Sequence, residues 1–205
     1  MSVKVKICGL TNLPDAQAAV RAGADLLGFI FAEASPRLLT VAAAAAIARE
    51  IPPHIVKVGV FVNPPEDLVW QALNEGALGL LQFHGEETPE FCTQFGVMSM
   101  KAFRVRDEQS LAALMDYPTD AWLLDTYAEH QAGGTGQTFN WDLAVAAKQF
   151  GKPIFLAGGL RPANVADAVR RVQPFAVDVS SGVELAPGRK DQAKVAAFIQ
   201  AVKGA

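Results

Sequence analysis

Eight short apolar runs, each followed by a segment with helical spacing, restrict the folds open to this chain of 205 residues more than any other feature. The runs cover residues 3–7, 26–31, 56–61, 78–83, 100–105, 121–124, 153–157 and 175–179. Most are continuous in Val, Ile, Leu and Phe rather than alternating with polar residues. That pattern belongs to strands covered on both faces, as in parallel sheets. Helical segments are expected at 13–22, 41–50, 66–74, 89–95, 110–115, 141–150, 163–172 and 191–202. Asn12 and Thr40 precede the first two as capping residues, and Gly23 stops the first. Strict alternation of eight strands and eight helices, with no composition break to mark a linker, predicts an α/β chain: a single-domain (β/α)8 TIM barrel over residues 1–205. An open doubly wound sheet is the rival. It calls for a Gly-rich fingerprint after the first strand, where this chain reads Cys8-Gly9-Leu10-Thr11-Asn12.

Composition excludes several kinds of partner. With 51% hydrophobic and 19% charged residues and a formal net charge of -3, the chain has material for one sizeable core and no concentrated basic surface, so no nucleic-acid partner is expected. The longest strictly apolar run, at 41–48, is mostly Ala and too short to cross a bilayer, so no membrane partner is expected either. The N-terminus alternates Val with Lys and lacks a secretory apolar stretch. Two cysteines make no disulfide framework, and no Cys/His cluster has zinc-ligand spacing. The expectation is a cytoplasmic, metal-free protein. One apolar stripe per helix suits a monomer or a homodimer.

Candidate site residues fall at strand ends, where barrels build active sites. Gly158 and Gly159 follow the seventh strand, and Ser180, Ser181 and Gly182 follow the eighth; these are the two loops where barrels commonly bind phosphate. Glycine pairs let backbone amides approach an anion closely. Gly136, in the sixth loop's Gly133-Gly134-Thr135-Gly136, is placed to close over the same anion; with Gln137 next, the segment is not a nucleotide-binding P-loop. Cys8 follows the first strand before a Gly turn, where a partly ionised thiol takes a proton. Asp125 ends the sixth strand, and a partly desolvated carboxylate there can serve as an acid. Asp178 has the same placement in the eighth strand, and spacing alone does not choose between them. Arg37, in the long second loop as Ser35-Pro36-Arg37, suits a substrate carboxylate. His84 ends the fourth strand, either as a ligand contact or as an orderer of loops. Cys92, inside a helix, reads as a small buried hydrophobe.

These residues together resemble the phosphoribosylanthranilate isomerase family. The likeness is carried by Lys6-Ile7-Cys8-Gly9-Leu10-Thr11, Gly28-Phe29-Ile30-Phe31 with Ser35-Pro36-Arg37, and Gln82-Phe83-His84-Gly85. It continues in Leu124-Asp125, Leu156-Ala157-Gly158-Gly159-Leu160 and Asp178-Val179-Ser180-Ser181-Gly182-Val183-Glu184. Departures are small: Phe83 stands for a usual Leu, and Gln137 for a common Lys. The resemblance implies an Amadori rearrangement of N-(5-phosphoribosyl)anthranilate, a phosphorylated small molecule, in tryptophan biosynthesis, with no cofactor. By the family's pattern Asp125 is the general acid and Cys8 the general base. Arg37 is expected at the anthranilate carboxylate, and the region near Phe31 is the candidate for the aromatic pocket. Other phosphate-binding barrels share the glycine loops, but they need other carboxylate and Lys constellations or metal ligands.

Overall fold

The apolar runs become eight parallel strands that close on themselves in chain order, β1-β2-β3-β4-β5-β6-β7-β8. They are β1 (Lys4–Cys8), β2 (Leu26–Ile30), β3 (Val56–Phe61), β4 (Leu80–Phe83), β5 (Ser99–Arg104), β6 (Ala121–Asp125), β7 (Ile154–Ala157) and β8 (Ala176–Val179). The computed structural model describes residues 2–125 and 141–205. Helices follow the strands: α1 (Leu13–Ala22), α2 (Val41–Arg49), α3 (Glu66–Gly76), α4 (Pro89–Thr93), α5 (Gln109–Ala112), α6 (Trp141–Ala147), α7 (Val165–Val172) and α8 (Gln192–Lys203). The (β/α)8 barrel expected from the alternation is therefore the observed architecture. Among the described residues no helix is long and apolar enough to cross a membrane.

Local signals act where the sequence places them. The Asn12 side chain accepts from the Asp15 amide at 2.9 Å, and Gly23 ends α1 in the left-handed region at φ 99°. Thr40 caps α2 through the Ala43 amide. Several helices come out shorter than their patterns, α6 among them, which ends at Ala147 and gives way to a 3₁₀ turn at Lys148–Phe150. The segment expected at 89–95 is regular only to Thr93, and α5 gives way to a 3₁₀ turn at Ala113–Asp116.

Side chains in a strand alternate between faces, so each barrel strand feeds two cores. Val58, Leu80, Met100, Leu123 and Phe155 fill the interior. Val5, Ile7, Leu27, Phe29 and Val177 pack outward against the helices. Phe31, Phe61 and Phe83 form an aromatic row in that outer layer, with ring centroids 5.1 and 6.0 Å apart. Interior parity places Lys6 and Cys8 of β1, Ile30 of β2, Val60 of β3, Gln82 of β4, Asp125 of β6 and Asp178 of β8 on the inner wall. The closing seam registers Lys6 beside Asp178, and β1 against β2 registers Cys8 beside Gly28.

One element was not visible in the pattern. After β8 a 3₁₀ turn (Ser181–Val183) leads into a small antiparallel hairpin, β9 (Glu184–Ala186) with β10 (Arg189–Lys190). Strands this short produce no periodicity. The hairpin is tied to the first βα loop: the Thr11 hydroxyl donates to the Gly188 carbonyl, and the Lys190 amide donates to the Asp15 carboxylate at 2.9 Å.

Candidate active site

At the C-terminal ends of the strands one cavity of about 260 Å³ is lined by Cys8, Arg37, His84, Asp125, Gly158, Gly159, Asp178, Ser180, Ser181 and Gly182. Residues spread over the whole sequence thus meet around a single space. Gly136, the remaining sequence candidate, and the other glycines of its loop lie outside the described residues.

The thiol of Cys8 ends β1 and is 5% exposed. Gly28 makes room for it: a β-carbon there would stand 2.8 Å from the Cys8 sulfur and 3.2 Å from Lys6 Nζ. Burial pushes the Cys8 thiol above its ordinary value; the Lys6 ammonium pulls it down and Asp178 pushes it up again. Burial thus works against the partly ionised thiol expected from a barrel-mouth position, and the Lys6 charge works for it. The sulfur lies in the wall, not at the solvent edge, so desolvation favours the neutral form. Cys92 is held in that form too. It is buried against the Glu87 carbonyl, and burial pushes its thiol up to about 12, as suits a packing residue.

The two carboxylates that spacing did not separate have different surroundings. Asp178 accepts from Lys6 Nζ at 2.9 Å, and the two side chains are 10% and 0% exposed. Asp125 is 23% exposed and faces His84, whose Nε2 lies 3.3 Å from its Oδ2. The other ring nitrogen of His84 lies 3.2 Å from the Gln82 side-chain amide. Gln82 is 1% exposed, and its Oε1 has no hydrogen-bond partner among the described residues. That oxygen belongs to a side chain lining the cavity. A buried acceptor left unpaired destabilises the fold by about 1–3 kcal/mol, so its retention points to a ligand.

Arg37 does not stand open in its loop. Its Nε and Nη2 donate to the two carboxylate oxygens of Glu184 at 2.8 and 2.6 Å. Lys190, at the far side of the hairpin, donates to the same carboxylate at 2.7 Å. Burial pushes the Glu184 carboxyl up, but the bonds from Arg37 and Lys190 outweigh it and hold it below the usual carboxylate range. Burial pulls the Lys190 ammonium down despite Glu184. The Ser35 hydroxyl accepts from the Arg37 amide and fixes the loop from below.

Gly158 and Gly159 are both left-handed, at φ 84° and 61°, and turn the chain around the cavity rim. Gly182 packs so closely under the seventh loop that a β-carbon would collide with the Leu160 carbonyl oxygen. Loops seven and eight are therefore one interlocked wall. The Ser180 hydroxyl, also in the lining, has no hydrogen-bond partner among the described residues.

Phe31 itself stands outside the cavity lining. It is 3% exposed and stacked on Phe61 in the outer core, so it faces away from the cavity. The apolar wall is made by Ile30 and Val60 instead. One residue of strand register separates Ile30 from Phe31 and sends them to opposite faces. Sequence reasoning also missed Lys6, Gln82, Glu184 and Lys190. Of these, Lys6 and Gln82 carry a signal, Lys6 as one of two lysines in the first run and Gln82 as a polar residue in the fourth. Among the described residues no three His, Cys, Asp or Glu side chains gather closely enough to hold a metal ion.

Known proteins with this arrangement are similar along the whole chain. The family model for N-(5'-phosphoribosyl)anthranilate (PRA) isomerase matches residues 5–201. An N-(5'-phosphoribosyl)anthranilate isomerase of Citrifermentans bemidjiense is 56% identical over 200 residues, covering 98% of this chain and 97% of that protein. Its counterpart in Geobacter sulfurreducens is 54% identical over 202 residues, covering 98% and 99%. The crystal structure of phosphoribosyl anthranilate isomerase from Thermotoga maritima superposes with a TM-score of 0.92 at 40% identity, covering 99% of this chain and 100% of that one. A structure of such an isomerase in complex with reduced 1-(o-carboxyphenylamino)-1-deoxyribulose 5-phosphate superposes with a TM-score of 0.89 at 38% identity, with the same coverage. With a family model spanning nearly the full barrel and relatives above half identity, the chain belongs to the N-(5'-phosphoribosyl)anthranilate isomerase family.

Proposed function

We propose that this cavity performs the family's reaction in tryptophan biosynthesis, the Amadori rearrangement of N-(5-phosphoribosyl)anthranilate to 1-(2-carboxyphenylamino)-1-deoxyribulose 5-phosphate. Asp125 is the general acid and Cys8 the general base. The observation that carries this reading is the meeting of Cys8, Asp125, Arg37 and the seventh- and eighth-loop glycines around one cavity. A substrate with a phosphate at one end and a carboxylate at the other is held at both ends there, and its ribose spans the space between acid and base.

Asp125 donates a proton to the ring oxygen of the ribose, the C1′–O bond breaks and a Schiff base forms. Cys8 as thiolate takes the C2′ proton, and the electron pair moves to the nitrogen as an enolamine, which tautomerises to the ketone. Asp178 is a poor candidate for the acid, because its carboxylate is paired with Lys6. His84, with one ring nitrogen on Gln82 and the other on Asp125, orients the acid. The glycines at 158, 159 and 182, with Ser180 and Ser181, border the phosphate end, and Gly136 belongs to the same proposal. Ile30 and Val60 supply the apolar surface for the anthranilate ring. Arg37 reaches the carboxylate while Glu184 holds its guanidinium in place.

We further read residues 1–205 as one domain, a cytoplasmic enzyme acting on this phosphorylated substrate as a monomer or homodimer without a cofactor. The two cysteines, both buried as free thiols, suit a reducing compartment. The test is the purified chain with N-(5-phosphoribosyl)anthranilate, followed by loss of anthranilate-type fluorescence. Turnover is expected from the unmodified chain. A Cys8→Ala variant is expected to lose roughly 10²-fold or more in kcat while unfolding at a similar temperature. Unimpaired turnover by Cys8→Ala removes the thiol from the mechanism.

A further inference from the structure

Lys6 sits where a barrel has most reason to be apolar. Its side chain is 0% exposed, and the interior around it is built from residues such as Val58, Met100 and Leu123. Burying an ammonium costs several kcal/mol in lost hydration, and an aliphatic side chain of similar volume avoids that cost. What the position offers is contact with two groups at once. Lys6 Nζ is 2.9 Å from Asp178 Oδ1, and it stands on the same face of β1 as Cys8, two residues away, close enough for its charge to act on the sulfur. Both the Lys6 nitrogen and the Cys8 sulfur crowd the empty β-carbon position of Gly28.

We infer that Lys6 is the positioning residue that holds the Cys8 thiolate, and that Asp178 competes with the sulfur for the same ammonium instead of acting on substrate. This deepens the reading of Cys8 as the base and rests on it. The charges that face Cys8 are Lys6 on its own strand, Asp178 on β8, Lys190 on β10 and Arg37 in the loop after β2. Of these Asp178 is the anion, and it is the one that opposes the thiolate. When Cys8 takes the C2′ proton the sulfur becomes neutral, and Asp178 still neutralises Lys6. The ammonium is therefore never left alone in the barrel, whichever state the sulfur is in.

The arrangement makes an opposite-sign prediction that a merely structural lysine does not. In a Cys92→Ala background, thiolate ultraviolet absorbance against pH reports Cys8 alone. Replacing Lys6 by Met is expected to move its midpoint up by about one pH unit or more, and Asp178→Asn is expected to move it down. The rising limb of kcat/KM against pH is expected to follow in each case. An unmoved midpoint in Lys6→Met, or an unmoved or higher midpoint in Asp178→Asn, overturns the proposal. If Lys6→Met does not fold, Asp178→Asn decides it, because amide for carboxylate keeps the shape. If both midpoints move as expected while the kcat/KM limb stays put, the hold of Lys6 on the thiolate stands, and the assignment of Cys8 as base is what fails.

Discussion

Arg37 and Glu184, which lie 147 residues apart, face each other fork to fork through bonds of 2.8 and 2.6 Å. This pair gives the loop after β2 a fixed end, because a flexible arginine loses more freedom on gripping a ligand than one already held. Arg37→Ala is therefore expected to raise KM about tenfold or more with a smaller change in kcat, in steady-state kinetics on N-(5-phosphoribosyl)anthranilate. An unchanged KM would return Arg37 to a role in loop structure alone.

Glu184 also ties the fold to pH. Its folded carboxyl is held below the ordinary 4.5, so the folded state binds the proton less readily than the unfolded chain. The stabilisation is complete above about pH 4.5 and is lost as pH falls through the lower folded value. Glu184→Ala, which leaves Lys190 buried without its carboxylate, is expected to cost about 3 kcal/mol at neutral pH. For Glu184→Gln, thermal unfolding compared with the unmodified chain should show a deficit at pH 7 that shrinks in acid. A deficit of constant size across that range would exclude the charge as its cause.

The two carboxylates should respond differently to the same change. Asp125→Asn removes the donated proton and is expected to lower kcat by about 10²-fold or more at every pH. Asp178→Asn removes only the competitor for Lys6 and is expected to keep far more activity, with a displaced pH profile. If Asp178→Asn is the less active of the two, the acid has been assigned to the wrong strand.

Gln82 is expected to separate stability from activity. Gln82→Leu deletes a buried unpaired oxygen and fills the same volume, so unfolding temperature should hold or rise. It also strips His84 of its neighbour, and with it the orientation of Asp125. A loss of about tenfold in kcat is expected, and full activity in this variant would make Gln82 a packing residue.

Much of the molecule is legible in the sequence alone. The alternation of apolar runs and helical segments called for eight βα units, and eight parallel strands close in that order. Cys8, Asp125, His84 and the glycines of loops seven and eight stand at strand ends, which share one face in a barrel, and with Arg37 of the second loop they line one cavity. Short elements escaped: the hairpin β9–β10 has strands of three and two residues, too few to show a period.

What the linear order determined was the repeat, and with it which residues stand at the ends of strands. Which way each side chain points, and which charge it meets, waited on closure of the sheet. Phe31 and Ile30 are neighbours in sequence, yet only the register of β2 sends Phe31 outward and Ile30 to the cavity side. Lys6 and Asp178 are 172 residues apart and become partners because the last strand pairs with the first. Strand propensity and periodicity act over a few residues, whereas electrostatics depends on distance in space, so the chemical state of Cys8 was settled only when the barrel closed around it.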